Sequence, residues 1–248
     1  MEDDDIVEAN DQLILIGGKS AGGKSASLRN IRNQDRWVYL NTEAGKRLPF
    51  KNSFNSQRIT DPYEVYQFFD EATENKQHVD GIIVDSLTFL ADMLESQYVV
   101  GASNGQKAWG DFAQFFKVLL QQKVVAFGKP VIFTAHILDV YDETALEMKT
   151  SVPIKGSLKN NGIEAYFSTV VEATKVALKD LEKFKSNMLT ITEEDELVGF
   201  KHVFQTRITK ASVGKRIRSP MGMFTPSETF IDNDAQLLLD HLAAFYGN

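Results

Sequence analysis

The segment LILIGGKSAGGKSASL, residues 13 to 28, runs an apolar stretch straight into a turn rich in glycine and lysine. Gly18, Gly23, Lys24 and Ser25 fit G-x-x-x-x-G-K-[ST] without mismatch, and Leu13 to Ile16 supply the strand that must precede such a loop. A strand, a glycine loop and a helix in that order fit poorly into anything but an α/β sheet. The glycines let the backbone curl so that successive N–H groups face one phosphate, and the helix expected from Lys24 adds its positive end. Gly18, Lys19, Ser20, Ala21, Gly22, Gly23, Lys24, Ser25 and Ala26 are therefore the candidate nucleotide-binding residues. Lys24 is expected to reach the β- and γ-phosphates, and Ser25 to take one position on Mg²⁺. The plain alternative is a glycine-rich turn that matches by chance. The preceding strand and the helix-compatible SASLRNIRN argue against it.

The rest of the chain supports a sheet of this kind. Strand-like runs recur at LILI (13–16), WVYL (37–40), GIIVD (81–85), VIFTA (131–135), STVVEATKVAL (168–178) and HVFQTRIT (202–209). Helical spacing alternates with the first four, at SASLRNI, PYEVYQFFDEATENK (62–76) and DFAQFFKVLLQQKVVAF (111–127). Alternation over this length predicts an α/β fold with a mostly parallel central sheet flanked by helices. The later segments are expected to be antiparallel, with 186–200 a hairpin or insertion whose TEEDE run is a solvated turn. A last helix is expected at 234–246, capped by Asp232 or Asn233. The period-two spacing of Phe200 and Phe204 places both in the core.

With 248 residues, 43% of them hydrophobic, one domain spanning 1–248 is the natural expectation, with residues 1–10 a disordered acidic start. The formal net charge of −7 means that any nucleic-acid surface must be local. The absence of cysteine excludes disulfides and thiolate metal sites, and the four histidines are scattered. No apolar run approaches the roughly 20 residues of a membrane helix, and MEDDD is unlike a signal peptide, so no membrane association and a cytoplasmic location are expected.

Two carboxylates sit where the chemistry of a phosphate loop needs them. Asp85 ends the strand GIIVD, so it points into the crevice at the strand ends and suits the metal side. Its alternative role is to cap the helix that starts near Ser86. Glu43 follows WVYL in YLNTEAGK and suits activation of an attacking water, against the alternative of a solvated loop residue. His136, at the end of VIFTAH, is either a sensor of the γ-phosphate or a structural histidine.

In this order the motifs resemble the RecA superfamily over roughly residues 10 to 220. The phosphate loop is followed by LNTEAG, then IIVDSLTFL, then VIFTAH. The resemblance implies a RecA-like P-loop NTPase core that binds ATP and Mg²⁺, with Glu43 activating water, Asp85 on the magnesium side and His136 coupling nucleotide to DNA. It further implies two loops that bind single-stranded DNA, matching VGASNGQKAWG (100–110) and LDVYDETALEMKTSVPIKG (138–156). Lys107, Lys149, Lys155 and Lys159 are then the candidate DNA contacts, although the second loop also carries Asp139, Asp142, Glu143 and Glu147. Lys210, Lys215, Arg216 and Arg218 match the place where basic residues of such proteins reach the γ-phosphate of a neighbouring subunit in a ring or filament. A solvated basic hairpin and direct DNA contact are the other readings of that stretch. The compact core and the PIKGSLKNN stretch resemble phage-encoded RecA/RadA-core ATPases, among them the Sak-type single-strand annealing proteins. That implies ATP-dependent annealing in the host cytoplasm, beside a single-strand-binding protein. A RecA-fold helicase, a ParA/MinD-like ATPase using Lys19, a small-molecule kinase and a nonhydrolytic scaffold are the alternatives. VDSLTFL lacks the glycine expected of the ParA/MinD class, and no kinase acceptor signature is present.

Overall fold

The computed structural model describes residues 10–143 and 146–247, so the expected disordered start lies outside the described residues except for Asn10. Asn10 is held, its amide donating to the Lys129 carbonyl at 2.8 Å. An eight-stranded sheet organises the chain. Its strands are β1 (Leu13–Gly18), β2 (Trp37–Asn41), β3 (Asn55–Arg58), β4 (Gly81–Asp85), β5 (Val131–His136), β8 (Thr169–Ala177), β9 (Phe200–Gln205) and β10 (Phe230–Asp232), while β6 (Leu138–Asp142) and β7 (Glu147–Ser151) form a separate antiparallel ribbon. The spatial order is β10-β9-β8-β1-β5-β4-β2-β3. From β8 to β3 every pairing is parallel, and β9 and β10 add antiparallel.

The LILI run is apolar throughout because β1 is covered on both faces. Leu13 and Leu15 pack with Phe69, Leu90, Phe116 and Phe133 under the helices Glu64–Glu74, Leu87–Leu94 and Gly105–Val118. Ile14 and Ile16 enter the opposite cluster with Ile83, Val171, Phe204 and Leu238 beneath the helix Ala235–Tyr246. Phe204 is fully buried, as its spacing predicts, whereas Phe200 is half-buried.

Several expectations are corrected. Residues Ser25–Asn30 form a 3-10 turn instead of an α-helix; the Ser27 hydroxyl donates to the Lys24 carbonyl at 2.6 Å, drawing the turn tight at its start. The stretch 100–110 is helical from Gly105, since the Asn104 side chain accepts the Lys107 N–H at 2.9 Å and caps a helix despite its glycines. Much of 138–156 is the β6–β7 ribbon, and the helix after it is short, Leu158–Asn161, followed by a 3-10 turn. In 186–200 there is no hairpin: Thr192 and Asp195 make a capping box, and Glu193–Val198 is a helix ending at Gly199, where φ is 80°. Its acidic first turn favours the positive helix end. The antiparallel switch comes one strand later than expected, because β8 is parallel to β1. The last helix is capped by Asp234, one residue beyond the predicted positions.

Candidate nucleotide site

The carboxyl ends of β1, β2, β4 and β5 converge on one cavity of about 320 Å³. The loop after β1 lies against β8. A Cβ on Gly22 would stand 2.6 Å from the Ala173 carbonyl oxygen, and one on Gly23, at φ +104°, 2.2 Å from the Asn233 amide. Glycine is thus required at both, by close backbone approach at Gly22 and by the positive φ and the Asn233 side chain at Gly23. Asn233 fixes the far side by donating to the Gly23 carbonyl at 3.0 Å, while His202 Nδ1 lies 3.1 Å from the Gly22 carbonyl.

Lys24 is buried, and its ammonium donates to the carbonyls of Gly18 (2.9 Å) and Lys19 (3.0 Å), bridging the loop it belongs to. Burial holds its pKa below the ordinary lysine value, opposed by the charges of Asp85 and Glu43. Ser20 to Ala26 line the cavity, whereas Gly18 and Lys19 do not. Lys19 turns away and pairs with Asp139 of β6, which also accepts the Thr150 hydroxyl at 2.6 Å. The Lys19 side chain therefore points out of the cavity, toward the β6–β7 ribbon.

Asp85 is buried and accepts three hydroxyls: Ser25 at 2.9 Å and Tyr39 at 2.8 Å on one oxygen, and Thr134 on the other. Burial first, then the Asp85 charge, pushes the Tyr39 hydroxyl far above its ordinary range, so it stays a donor. Neighbouring Ser86 is locked to β2: its N–H donates to the Thr42 hydroxyl at 2.7 Å, which donates back to the Ser86 carbonyl at 2.8 Å.

That lock places Glu43. Asn41 Oδ1 accepts the Glu43 N–H at 3.0 Å, and the Asn41 amide donates to the Lys46 carbonyl at 2.8 Å. Ala44 and Gly45 carry positive φ, and the chain turns tightly so that the Glu43 carboxylate faces the cavity. Its oxygens lie 3.1 Å from Lys46 Nζ and 3.7 Å from His136 Nε2. Burial holds His136 below its ordinary pKa, aided by Lys24 and opposed by Glu43. The Thr88 hydroxyl accepts its N–H at 3.2 Å.

The remaining candidates lie elsewhere. Lys215 donates to Glu172 (2.9 Å) and Gln205 (3.2 Å), Arg216 to Glu164 (3.0 Å), and Arg218 to the Ala165 carbonyl (3.3 Å), so these three are engaged within their own chain. Lys210 is exposed. Lys107 pairs with Asp111 at 3.0 Å and Lys155 with Glu95 at 2.8 Å; Lys149 and Lys159 are exposed, and none of the four lines the cavity.

Sequence reasoning missed Tyr39, Thr134, Lys46, Arg47 and His202 as lining or second contacts. The hydroxyls of Tyr39 and Thr134, polar atoms in otherwise apolar strands, were the available signal.

A family profile described as an AAA domain, AAA_24, matches residues 10–215, which takes in the phosphate loop, Glu43, Asp85 and His136. The chain belongs to that family. The AAA_24 match ends at Lys215, so the last strand and helix of the sheet lie beyond it. Among solved structures, the AAA_24 chain is similar to the RadB recombinase, at 15% identity and TM-score 0.40 over 68% of this chain and 76% of that one. It is also similar to the flagellar accessory protein FlaH from Methanocaldococcus jannaschii, at 13% identity and TM-score 0.37 over 84% and 83%. Among curated proteins none matches.

The cavity fits a nucleotide phosphate chain with Mg²⁺. Two glycines leave no room for side chains, the buried Lys24 faces two carboxylates, and the Ser25 hydroxyl sits on Asp85. Among the described residues no group of three or more His, Asp or Glu side chains is placed to hold a metal alone. A hydroxyl, a nearby carboxylate, phosphate oxygens and water make the usual magnesium set of a P-loop site. Among the described residues no helix is long and apolar enough to cross a membrane.

Proposed function

We propose that this AAA_24 protein is a Mg²⁺-dependent ATPase whose nucleotide state governs single-stranded DNA binding, with annealing in phage recombination or replication as its role. The observation that carries the ATPase reading is the placing of Glu43 across one cavity from the loop lysine, beside the Ser25–Asp85 pair.

In this reading the loop N–H groups and Lys24 hold the phosphates, Lys24 leaving the Gly18 and Lys19 carbonyls for them. Ser25 and Asp85 would hold the magnesium side, and the ion, when bound, would supply charge neutralisation for the phosphates. Glu43 orients a water and accepts its proton as the water oxygen bonds to the γ-phosphorus and the bond to the β-phosphate oxygen breaks. His136, close to neutral, positions that carboxylate and reports on the γ-phosphate to the ribbon that begins two residues later.

The DNA part of the proposal rests on the exposed cations Lys107, Lys149, Lys155 and Lys159 and on the RecA-like order of motifs. Self-association into a ring or filament and a single-strand-binding protein are the proposed partners, in the host cytoplasm. Lys210 is the best-presented residue of the basic stretch for reaching a neighbour, because Lys215, Arg216 and Arg218 are occupied at home. Steady-state ATP hydrolysis measured with and without single-stranded DNA, over a range of protein concentrations, tests the reading. DNA stimulation that rises more steeply than linearly with protein is the expected result; turnover indifferent to both removes DNA and assembly from the account. Processive duplex unwinding would favour the helicase alternative.

A further inference from the structure

Besides Lys24, the cationic side chains lining the cavity are Lys46 and Arg47, both from the turn that carries Glu43. This is notable because Lys215, Arg216 and Arg218 donate to partners of their own chain away from the cavity. The turn is built to hold Lys46 in one place. The Asn41 amide donates to the Lys46 carbonyl at 2.8 Å, the Lys46 N–H donates to the Glu43 carbonyl at 3.0 Å, and Ala44 and Gly45 between them take positive φ. From there Nζ reaches Glu43 Oε2 at 3.1 Å, while the side chain is still 72% exposed. Its charge is felt deeper in the site, where it helps to hold both Lys24 and His136 below their ordinary pKa.

Lys46 stays largely in water although the Glu43 side chain is only 10% exposed, so the ammonium can pass from one anion to another without being desolvated again. A terminal phosphate in the same cavity carries more negative charge than the carboxylate and offers more acceptor oxygens. We propose that Lys46 is a γ-phosphate contact supplied within the chain, shared between Glu43 and the nucleotide: a triphosphate draws the ammonium off Glu43, and a diphosphate leaves the pair closed. The exchange frees the Glu43 carboxylate for water only when there is a γ-phosphate to attack. The inference rests on the ATPase reading above and adds to it a residue that tells ATP from ADP.

The test is calorimetric titration of the full chain with Mg²⁺–AMP-PNP and with Mg²⁺–ADP, for the unaltered protein, Lys46→Met, Glu43→Gln and the double variant. Lys46→Met is expected to weaken AMP-PNP by about tenfold, the scale of one charge-assisted hydrogen bond, and to leave ADP unchanged. Glu43→Gln, which removes the competitor for Lys46, is expected to tighten AMP-PNP, and the double variant to lose that gain. Equal weakening of both nucleotides, or none, overturns the assignment while leaving the ATPase reading in place. An unaltered protein that binds neither nucleotide overturns both.

Discussion

Three hydroxyls, from Ser25, Tyr39 and Thr134, donate to a carboxylate that is 2% exposed and has no cation among its hydrogen-bond donors. Asp85 is thus satisfied by neutral groups, beside the cavity that its carboxylate lines. Asp85→Asn keeps the shape but turns one acceptor into a donor facing hydroxyls that themselves donate. Affinity for the Mg²⁺-bound nucleotide should fall by about 10–100-fold, the range for altered partners of metal ligands, with little change when magnesium is omitted. Titrations with and without magnesium separate the two; equal losses would assign Asp85 to folding alone. His136 gives a pH signature. Its pKa is lowered from 6.5, so the unfolded chain takes up a proton before the folded one does. Its contribution is therefore present above about 6.5 and is lost as pH falls below that value toward the folded-state pKa. His136→Gln should flatten that acid-side loss in thermal denaturation followed against pH, and an unchanged slope would place the titrating group elsewhere.

At the scale of elements, the segment after the β6–β7 ribbon is fastened by one buried acid. Glu164, 4% exposed, accepts the Val152 N–H at 2.6 Å and the Arg216 guanidinium at 3.0 Å, tying the ribbon's exit to the basic stretch. Glu164→Gln keeps the size and removes the charge, so a loss of about 1.5–3 kcal/mol in denaturant unfolding is expected, the scale of a hydrogen bond to a charged group. A loss near zero would show that Arg216 is held by other contacts. Legibility differs between elements for physical reasons. The strands β1, β2, β4 and β5 are buried on both faces and stand out as apolar runs with glycine or charged ends, so they were readable. Strand β3 is mostly exposed and β10 has three residues, so neither carries a period. The helix Glu193–Val198 buries no residue and is set by its capping box and acidic first turn, a local signal that hydrophobic spacing does not register. That Glu43 and Asp85 line one cavity was legible from their places at strand ends, and the place of Lys24 from the loop spacing; the direction of the Lys19 side chain was not, since it depends on Asp139, 120 residues away.

For the whole molecule, the parallel order β8-β1-β5-β4-β2-β3 brings the carboxyl ends of four strands to one crevice, and most of the site's chemistry follows from that arrangement. β1 delivers the loop, β2 the glutamate, β4 the aspartate, and β5 the threonine and histidine. The antiparallel strands do not supply this chemistry; His202 of β9 and Asn233 just after β10 brace the loop from outside. The net charge of −7 leaves a nucleic-acid role to local groups of cations, whereas the nucleotide site depends on no such balance. In the proposed ATPase, Glu43 drives turnover without being needed to hold the nucleotide. Glu43→Gln compared with the unaltered chain, for ATP hydrolysis and for Mg²⁺–ATP affinity in parallel, tests this most directly. Hydrolysis abolished with affinity retained or raised is the predicted result, and hydrolysis at the unaltered rate would contradict it.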